Sequence, residues 1–207
     1  MLPRYLQFGC GFSTPHGWVN FDASPTLRFE RIPMLGRLYT RNSKRFPVNV
    51  RCGDIVKGLP VPEAYFKGIY CSHILEHLSL QDFDVALANT RRYLLDDGVF
   101  RLVVPDLRHL ANVYQGDPRP EAAMVFMRQS CLGRPSRPHG VCGFFQEWLG
   151  NSAHLWMWDE ASMTMKLREH GFRQIRRVAF GDSDDPAFAA VEDKDRFLNC
   201  LAMQACK

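Results

Sequence analysis

Three short apolar runs early in the chain each end on a glycine or an aspartate, and this restricts the fold more than any other feature. Leu6-Gln7-Phe8 runs into Gly9-Cys10-Gly11, Trp18-Val19-Asn20-Phe21 ends on Asp22, and Val48 to Cys52 ends on Gly53-Asp54. Strands that finish this way fit a parallel sheet whose ligand lies across the carboxyl ends. Glycines admit a ligand close to the backbone, and a carboxylate can accept hydrogen bonds from both hydroxyls of a ribose. A nucleoside-containing cofactor is therefore the leading expectation.

The rest of the chain continues the alternation. Phe66 to Cys71 reads as a fourth strand closed by Ser72-His73. Leu80, Phe83, Leu87 and Leu94 share one helical face, and Val99 to Val104 forms a fifth strand ending at Pro105-Asp106. Apolar strands separated by a helix are the signature of a covered parallel sheet. Asp96-Asp97-Gly98 reads as a turn, Leu107 to Tyr114 as a helix, and Asp159 as the cap of a helix stopped by Gly171. Ile175 to Phe180 and Phe197 to Ala205 read as two last strands. A loop without a helix joins them, so they should pair antiparallel. The 207 residues suit one domain, 1–207.

Only residues 12–21 lie between Gly11 and Asp22, too few for an ordinary crossover, so the first helix should be missing or reduced to a turn. The segment 26–47 is a basic insertion, with Arg28, Arg31, Arg37, Arg41, Lys44 and Arg45 set against Glu30. It could attract an anionic acceptor, could be a plain solvated surface, or could cover the gap left by the missing helix. The stretch 107–158 forms an acceptor-side or lid region, with Phe144, Phe145, Trp148, Trp156 and Trp158 either walling a pocket or completing a core. The seven cysteines have no CxxC spacing, and several sit in apolar runs. That points to a reduced, cytoplasmic protein with no disulfide framework. No stretch fits a signal peptide or membrane span.

The ordered series of motifs resembles the class I S-adenosylmethionine-dependent methyltransferases, in particular their small type 11-like branch. The matching pieces are Phe8-Gly9-Cys10-Gly11, Gly17 to Asp22, Gly53-Asp54-Ile55, Ser72 to Leu78, Arg92-Tyr93-Leu94, Gly98 and Val104 to Leu107. His154, Met157-Trp158-Asp159 and His170-Gly171-Phe172 complete the series. The resemblance implies an α/β, Rossmann-like mixed sheet of seven strands with the last strand antiparallel. It further implies S-adenosylmethionine as cofactor and S-adenosylhomocysteine as product. Phe8, Gly9, Cys10 and Gly11 would cradle its methionine portion, Asp22 would hold the ribose, Asp54 and Ile55 would border the adenine, and Ser72 with His73 would close the site. Where the family often carries an acidic residue two places before its first glycine, this chain has Gln7, whose amide can bond the turn but brings no charge.

Methyl transfer asks the protein to align the acceptor with an already activated methyl and to exclude water. A general base helps when the acceptor is a hydroxyl or a protonated amine. His154, His73 and Asp106 are the candidates, His154 first, because imidazole titrates nearest neutral pH. Asp106 has the plain alternative of capping the next helix. The expected acceptor is a small-molecule or sugar hydroxyl or amine, with RNA or protein as less favoured alternatives. Two rival classes stand beside the enzyme reading. One is a non-catalytic cofactor-binding module. The other is a zinc hydrolase, because His73-Ile74-Leu75-Glu76-His77 has the HxxEH spacing of inverted zinc proteases, with Glu147 as a distant ligand. Ser72 can cap a helix that starts at His73, which favours the plain reading, and no metal site is expected.

Overall fold

The computed structural model describes residues 3–34, 36, 44–133, 136 and 153–207. Strands β1 (Tyr5–Phe8), β2 (Trp18–Asp22), β3 (Val50–Cys52), β4 (Phe66–Ser72), β5 (Leu94–Pro105), β6 (Arg173–Arg177) and β7 (Cys200–Cys206) form one sheet. Its order is β3-β2-β1-β4-β5-β7-β6. The first five strands run parallel, and β7 runs antiparallel between β5 and β6. The helices are α1 (Pro25–Glu30), α2 (Leu80–Tyr93), α3 (Leu107–Gly116), α4 (Ala122–Gln129), α5 (Glu160–Glu169) and the single turn α6 (Lys194–Phe197).

Period-two alternation along the central strands explains both faces of the sheet. Ile69 and Cys71 of β4 and Leu102 and Val104 of β5 enter the larger core, together with Phe83 and Leu87 of α2 and Met163 and Leu167 of α5. The intervening Tyr70 and Val103 enter a second core with Trp18, Phe188 and Ala202. No helix joins β1 to β2, as the short spacing predicts. The face left bare is closed by Phe188, from a 3-10 turn at Pro186–Ala190, whose ring meets Trp18 edge-on with centroids 5.6 Å apart. The described part of the basic insertion packs elsewhere. Its Leu27 and Phe46 pack on Cys10 and Val50 in a third, small cluster at the β2–β3 end.

Several sequence expectations need correction. Between β6 and β7 lie the 3-10 turn and α6, although the two strands do pair antiparallel. The turn expected at residues 96–98 is absorbed into β5, where Asp97 adopts φ 63°. Ser72 caps no helix: it is the last residue of β4, and α2 is capped by Ser79, whose Oγ accepts the N–H of Asp82. His73 has φ 56°, and only a 3-10 turn, Leu75–His77, follows it. His73 and His77 therefore do not share a helix face, and the helical geometry of the HxxEH reading is absent.

Candidate active site

The glycine turn after β1 is tied to its neighbours by side chains on both sides. Buried Gln7 donates from Nε2 to Oδ1 of Asn20 at 2.7 Å and to the carbonyl of Ser13 at 2.9 Å. Its neutral amide thus bonds the turn, as the sequence predicts. Gly11 donates its N–H to Oδ2 of Asp22 at 2.8 Å, and Ser24 donates to Oδ1 at 2.8 Å. Asp22 is 9% exposed, so its carboxylate is partly engaged in holding the turn, and each oxygen keeps a further lone pair for a ligand.

Gly9 and Gly11 both have positive φ, 65° and 55°. They differ in surroundings. A Cβ at Gly9 would overlap the side chain of Ile74, whereas a Cβ at Gly11 would meet nothing within 4 Å. Gly9 is therefore needed for packing against the loop after β4, and Gly11 opens onto a cradle. The amides of Cys10 and Gly11 are already bonded to Phe21 and Asp22, so the open space at Gly11 and the spare lone pairs of Asp22 are what would meet the methionine and ribose portions that the resemblance implies. Cys10 is buried, and burial followed by the nearby Asp22 charge pushes its thiol up to about 12, so it is an inert packing residue.

The expected adenine border divides in two. Asp54 folds its own loop, accepting the N–H of Val56 at 3.0 Å, and is half-buried. Ile55 is a core residue whose carbonyl accepts from Nδ2 of Asn89 at 2.7 Å. Phe8 is likewise in the core, stacked on Phe100 with centroids 6.4 Å apart. Phe8 and Ile55 thus pack the core, and Asp54 shapes its own loop.

The loop after β4 is joined to residues 153–158. The backbone N–H groups of Leu155 and Trp156 both donate to the carbonyl of Glu76, at 2.8 and 3.1 Å. Nδ1 of His77 lies 3.0 Å from the carbonyl of Ala153. The rings of His77 and His154 meet edge-on with centroids 5.0 Å apart. The ring of His73 lies between Ser72 Oγ, 3.0 Å from Nδ1, and Cys200 Sγ, 3.5 Å from Nε2. Burial is the main force lowering its pKa to about 4, helped by Arg196, His154 and His77. His154 is also lowered, chiefly by burial and then by His77. Glu76, fully buried, is raised to about 7 by burial, against smaller opposing effects of its own backbone amide and Arg196. Sequence reasoning linked Glu76 to His73 and missed its proximity to His154, because no local pattern pairs residues so far apart in the chain.

Asp106 is not available as a base. Its Oδ1 accepts the N–H groups of Arg108 and His109 as the cap of α3, and its Oδ2 pairs with Arg177 Nη2 at 2.9 Å. The plain reading of that residue holds. Trp158 is 1% exposed and stacked on Phe83 at 4.1 Å, so it belongs to the core, while Trp156 is exposed. Phe144, Phe145, Trp148 and Glu147 lie outside the described residues, as do Arg37 and Arg41. A surface depression of about 650 Å³ lies elsewhere, between α5 and the start of α3, and shares only Asp106 with the expected site. It adjoins none of the strand tips that form the cradle, so we assign it no part in cofactor binding.

Comparison with known proteins agrees with this geometry. Residues 6–102, just under half of the chain, match the model of a methyltransferase domain. A SAM-dependent methyltransferase from Archaeoglobus fulgidus is similar over 98% of this chain and 85% of its own, with 15% identity and a TM-score of 0.51. A second from Thermotoga maritima gives 12% identity, coverage of 99% and 82%, and a TM-score of 0.53. PigF, solved with SAH, gives 13% identity and a TM-score of 0.53, covering 98% of this chain and 50% of that one. No curated protein sequence gives a significant match. The strand order and cradle define the class I methyltransferase fold. Residues 6–102 match a methyltransferase domain, and the chain as a whole shares its fold with S-adenosylmethionine-dependent methyltransferases. Among the described residues no helix is long and apolar enough to cross a membrane.

Proposed function

We propose that the chain methylates a small-molecule or sugar acceptor at a hydroxyl or amine. The observation that carries this reading is the meeting of His77 and His154 beside Glu76, immediately after β4. It puts Glu76 and His77 two and three residues along the chain from Ile74, whose side chain lies against Gly9 of the glycine turn. Such a compact polar cluster suits a single functional group better than a long anionic polymer. Two arginines of the basic insertion are occupied by the protein itself. Arg31 donates to the carbonyls of Pro47 and Val50, and Arg45 donates to that of Gly36. These bonds weaken the argument for an RNA acceptor, or for an anionic one held by this segment.

Cofactor binding falls to the cradle at Gly9–Gly11 and to Asp22, with the Ser72–His73 tip closing the edge. When bound, S-adenosylmethionine supplies an activated methyl. The chain's residues then align the acceptor and keep water out. His154 is neutral at neutral pH and can accept a hydrogen bond from an acceptor O–H or N–H, whereas both ring nitrogens of His73 already meet Ser72 and Cys200. The lowered pKa of His154 makes it a weak proton acceptor.

The test is transfer of labelled methyl from S-adenosylmethionine by the full chain to separate pools of sugars and small alcohols, small amines, RNA and protein. The expected result is label in a small-molecule pool, lost in His154→Ala. Label confined to RNA or protein would overturn the acceptor assignment.

A further inference from the structure

Glu76, His77 and His154 each direct one ligand atom into a common space, all within 4.8 Å of one another. The side chain of Glu76 is 1% exposed, and neither of its oxygens has a hydrogen-bond partner. His77 faces it with Nε2 at 4.0 Å from Oε1, too far for a hydrogen bond. The other nitrogen of that ring, Nδ1, lies 3.0 Å from the Ala153 carbonyl, which can only accept. Nδ1 is therefore the donor in that contact, and Nε2 is the ring atom turned towards Glu76. Nδ1 of His154 is a further buried atom without a partner. Three possible ligand atoms thus converge, and both Glu76 oxygens and His154 Nδ1 are buried without a hydrogen-bond partner. Left alone, that arrangement is costly.

We propose that Glu76, His77 and His154 bind one divalent transition-metal ion of the Zn²⁺ or Mn²⁺ type, with an open coordination position for the hydroxyl oxygen of the acceptor. Two imidazoles and one carboxylate favour such ions over Mg²⁺ or Ca²⁺, which prefer all-oxygen sites. Three protein ligands with one position open is the pattern of a catalytic rather than a structural site. The Ala153 carbonyl that orients His77 is the kind of outer partner that fixes a metal-bound imidazole. His73 does not belong to this set: its left-handed backbone turns it towards Ser72 and Cys200. The arrangement therefore differs from a zinc protease's HxxEH site, because the glutamate is a ligand and one histidine comes from a distant segment.

This role rests on the reading of a hydroxyl acceptor. The coordinated hydroxyl gives its proton to water, and its oxygen lone pair forms the O–C bond to the methyl. The C–S electron pair returns to sulfur, leaving neutral S-adenosylhomocysteine, and the metal does not change oxidation state.

The test uses the full chain, freed of metal by dialysis against a chelator. It is titrated calorimetrically with Zn²⁺ and Mn²⁺, spectroscopically with Co²⁺, and in parallel with S-adenosylhomocysteine. One equivalent should bind, and Glu76→Gln and His154→Ala should each weaken it by at least about tenfold, the lower end of what losing even an outer partner costs. Unchanged S-adenosylhomocysteine binding in those variants shows that they fold. No metal binding, or equal binding in both variants, overturns the site. If the variants fail to fold, the wild-type Co²⁺ spectrum decides: intense visible bands of a low-coordinate nitrogen and oxygen site support it, and a weak hexa-aquo-like spectrum overturns it. A chain that binds S-adenosylhomocysteine but takes up no metal sinks this inference alone, whereas one that takes up metal but binds no S-adenosylhomocysteine sinks the methyltransferase reading.

Discussion

The backbone N–H of Gly11 donates to Oδ2 of Asp22 at 2.8 Å, so the turn that opens the cofactor cradle is held by the carboxylate expected to bind the ribose. One residue at the tip of β2 thus shapes the turn beside which the cofactor is proposed to bind. Losing that side chain should weaken binding twice, through the missing ligand contact and through the loosened turn.

The two cradle glycines should fail in different ways when each is replaced by alanine. Gly9→Ala forces a Cβ into Ile74 at positive φ, combining about 1–2 kcal/mol of left-handed strain with about 1–3 kcal/mol of overpacking. Gly11→Ala meets open space and should lose only the strain, about 1–2 kcal/mol. Its methyl group would occupy cofactor space, however. Urea denaturation should therefore rank Gly9→Ala as the less stable variant. S-Adenosylhomocysteine titration should show the Gly11→Ala affinity falling although the fold is retained. Equal stability losses would contradict the packing role of Gly9.

Arg101 is a buried cation, 1% exposed, bonded to Glu192, Asp182, Gln204 and the carbonyl of Ala179. Glu192 is equally buried, so Arg101→Met leaves it without its partner at a cost of about 3–5 kcal/mol. The double variant Arg101→Met/Glu192→Leu removes both charges and should cost less than the single one. Chemical denaturation of the three proteins measures this, and a double variant that is the weakest would contradict it.

Asp159 caps α5 through a reciprocal pair with Ser162, and the Ser162 N–H is the main cause holding its carboxyl below the usual range. A depressed folded-state pKa gives stability that is present above the unfolded value, about 3.9, and lost as pH falls through the folded value. Asp159→Ala should cost about 1 kcal/mol at neutral pH. Asp159→Asn keeps a good cap, and its stability should lack the part of the acid dependence due to this carboxyl. Thermal melts between neutral pH and pH 3 check this; an unchanged acid profile in Asp159→Asn would refute it.

The sequence exposed what depends on neighbours along the chain. Gly9–Gly11 and Asp22 stand out because a strand must end before such a turn begins, and the short run between Gly11 and Asp22 correctly ruled out a crossover helix. The capping of α5 by Asp159 was legible for the same reason. What was hidden is what the fold brings together from afar. HxxEH looks helical by spacing, but the left-handed backbone of His73 depends on its seat at the β4 tip, where its N–H bonds Val103. Nothing near residue 76 announces His154, and nothing in β5 distinguishes Arg101 as a buried ion before β7 and the 179–192 region fold over it. Phe188, which fills the place of the absent helix, looks in sequence like part of an acidic loop.

The central claim is that the tips of β1 and β2 form one site for S-adenosylmethionine. Calorimetric titration of the full chain and of Asp22→Ala with S-adenosylhomocysteine tests it most directly. One molecule should bind per chain, with at least a roughly tenfold loss in the variant, since charge-assisted hydrogen bonds contribute about 1.5–3 kcal/mol. No binding by the native chain, or equal affinity in a folded variant, would contradict it.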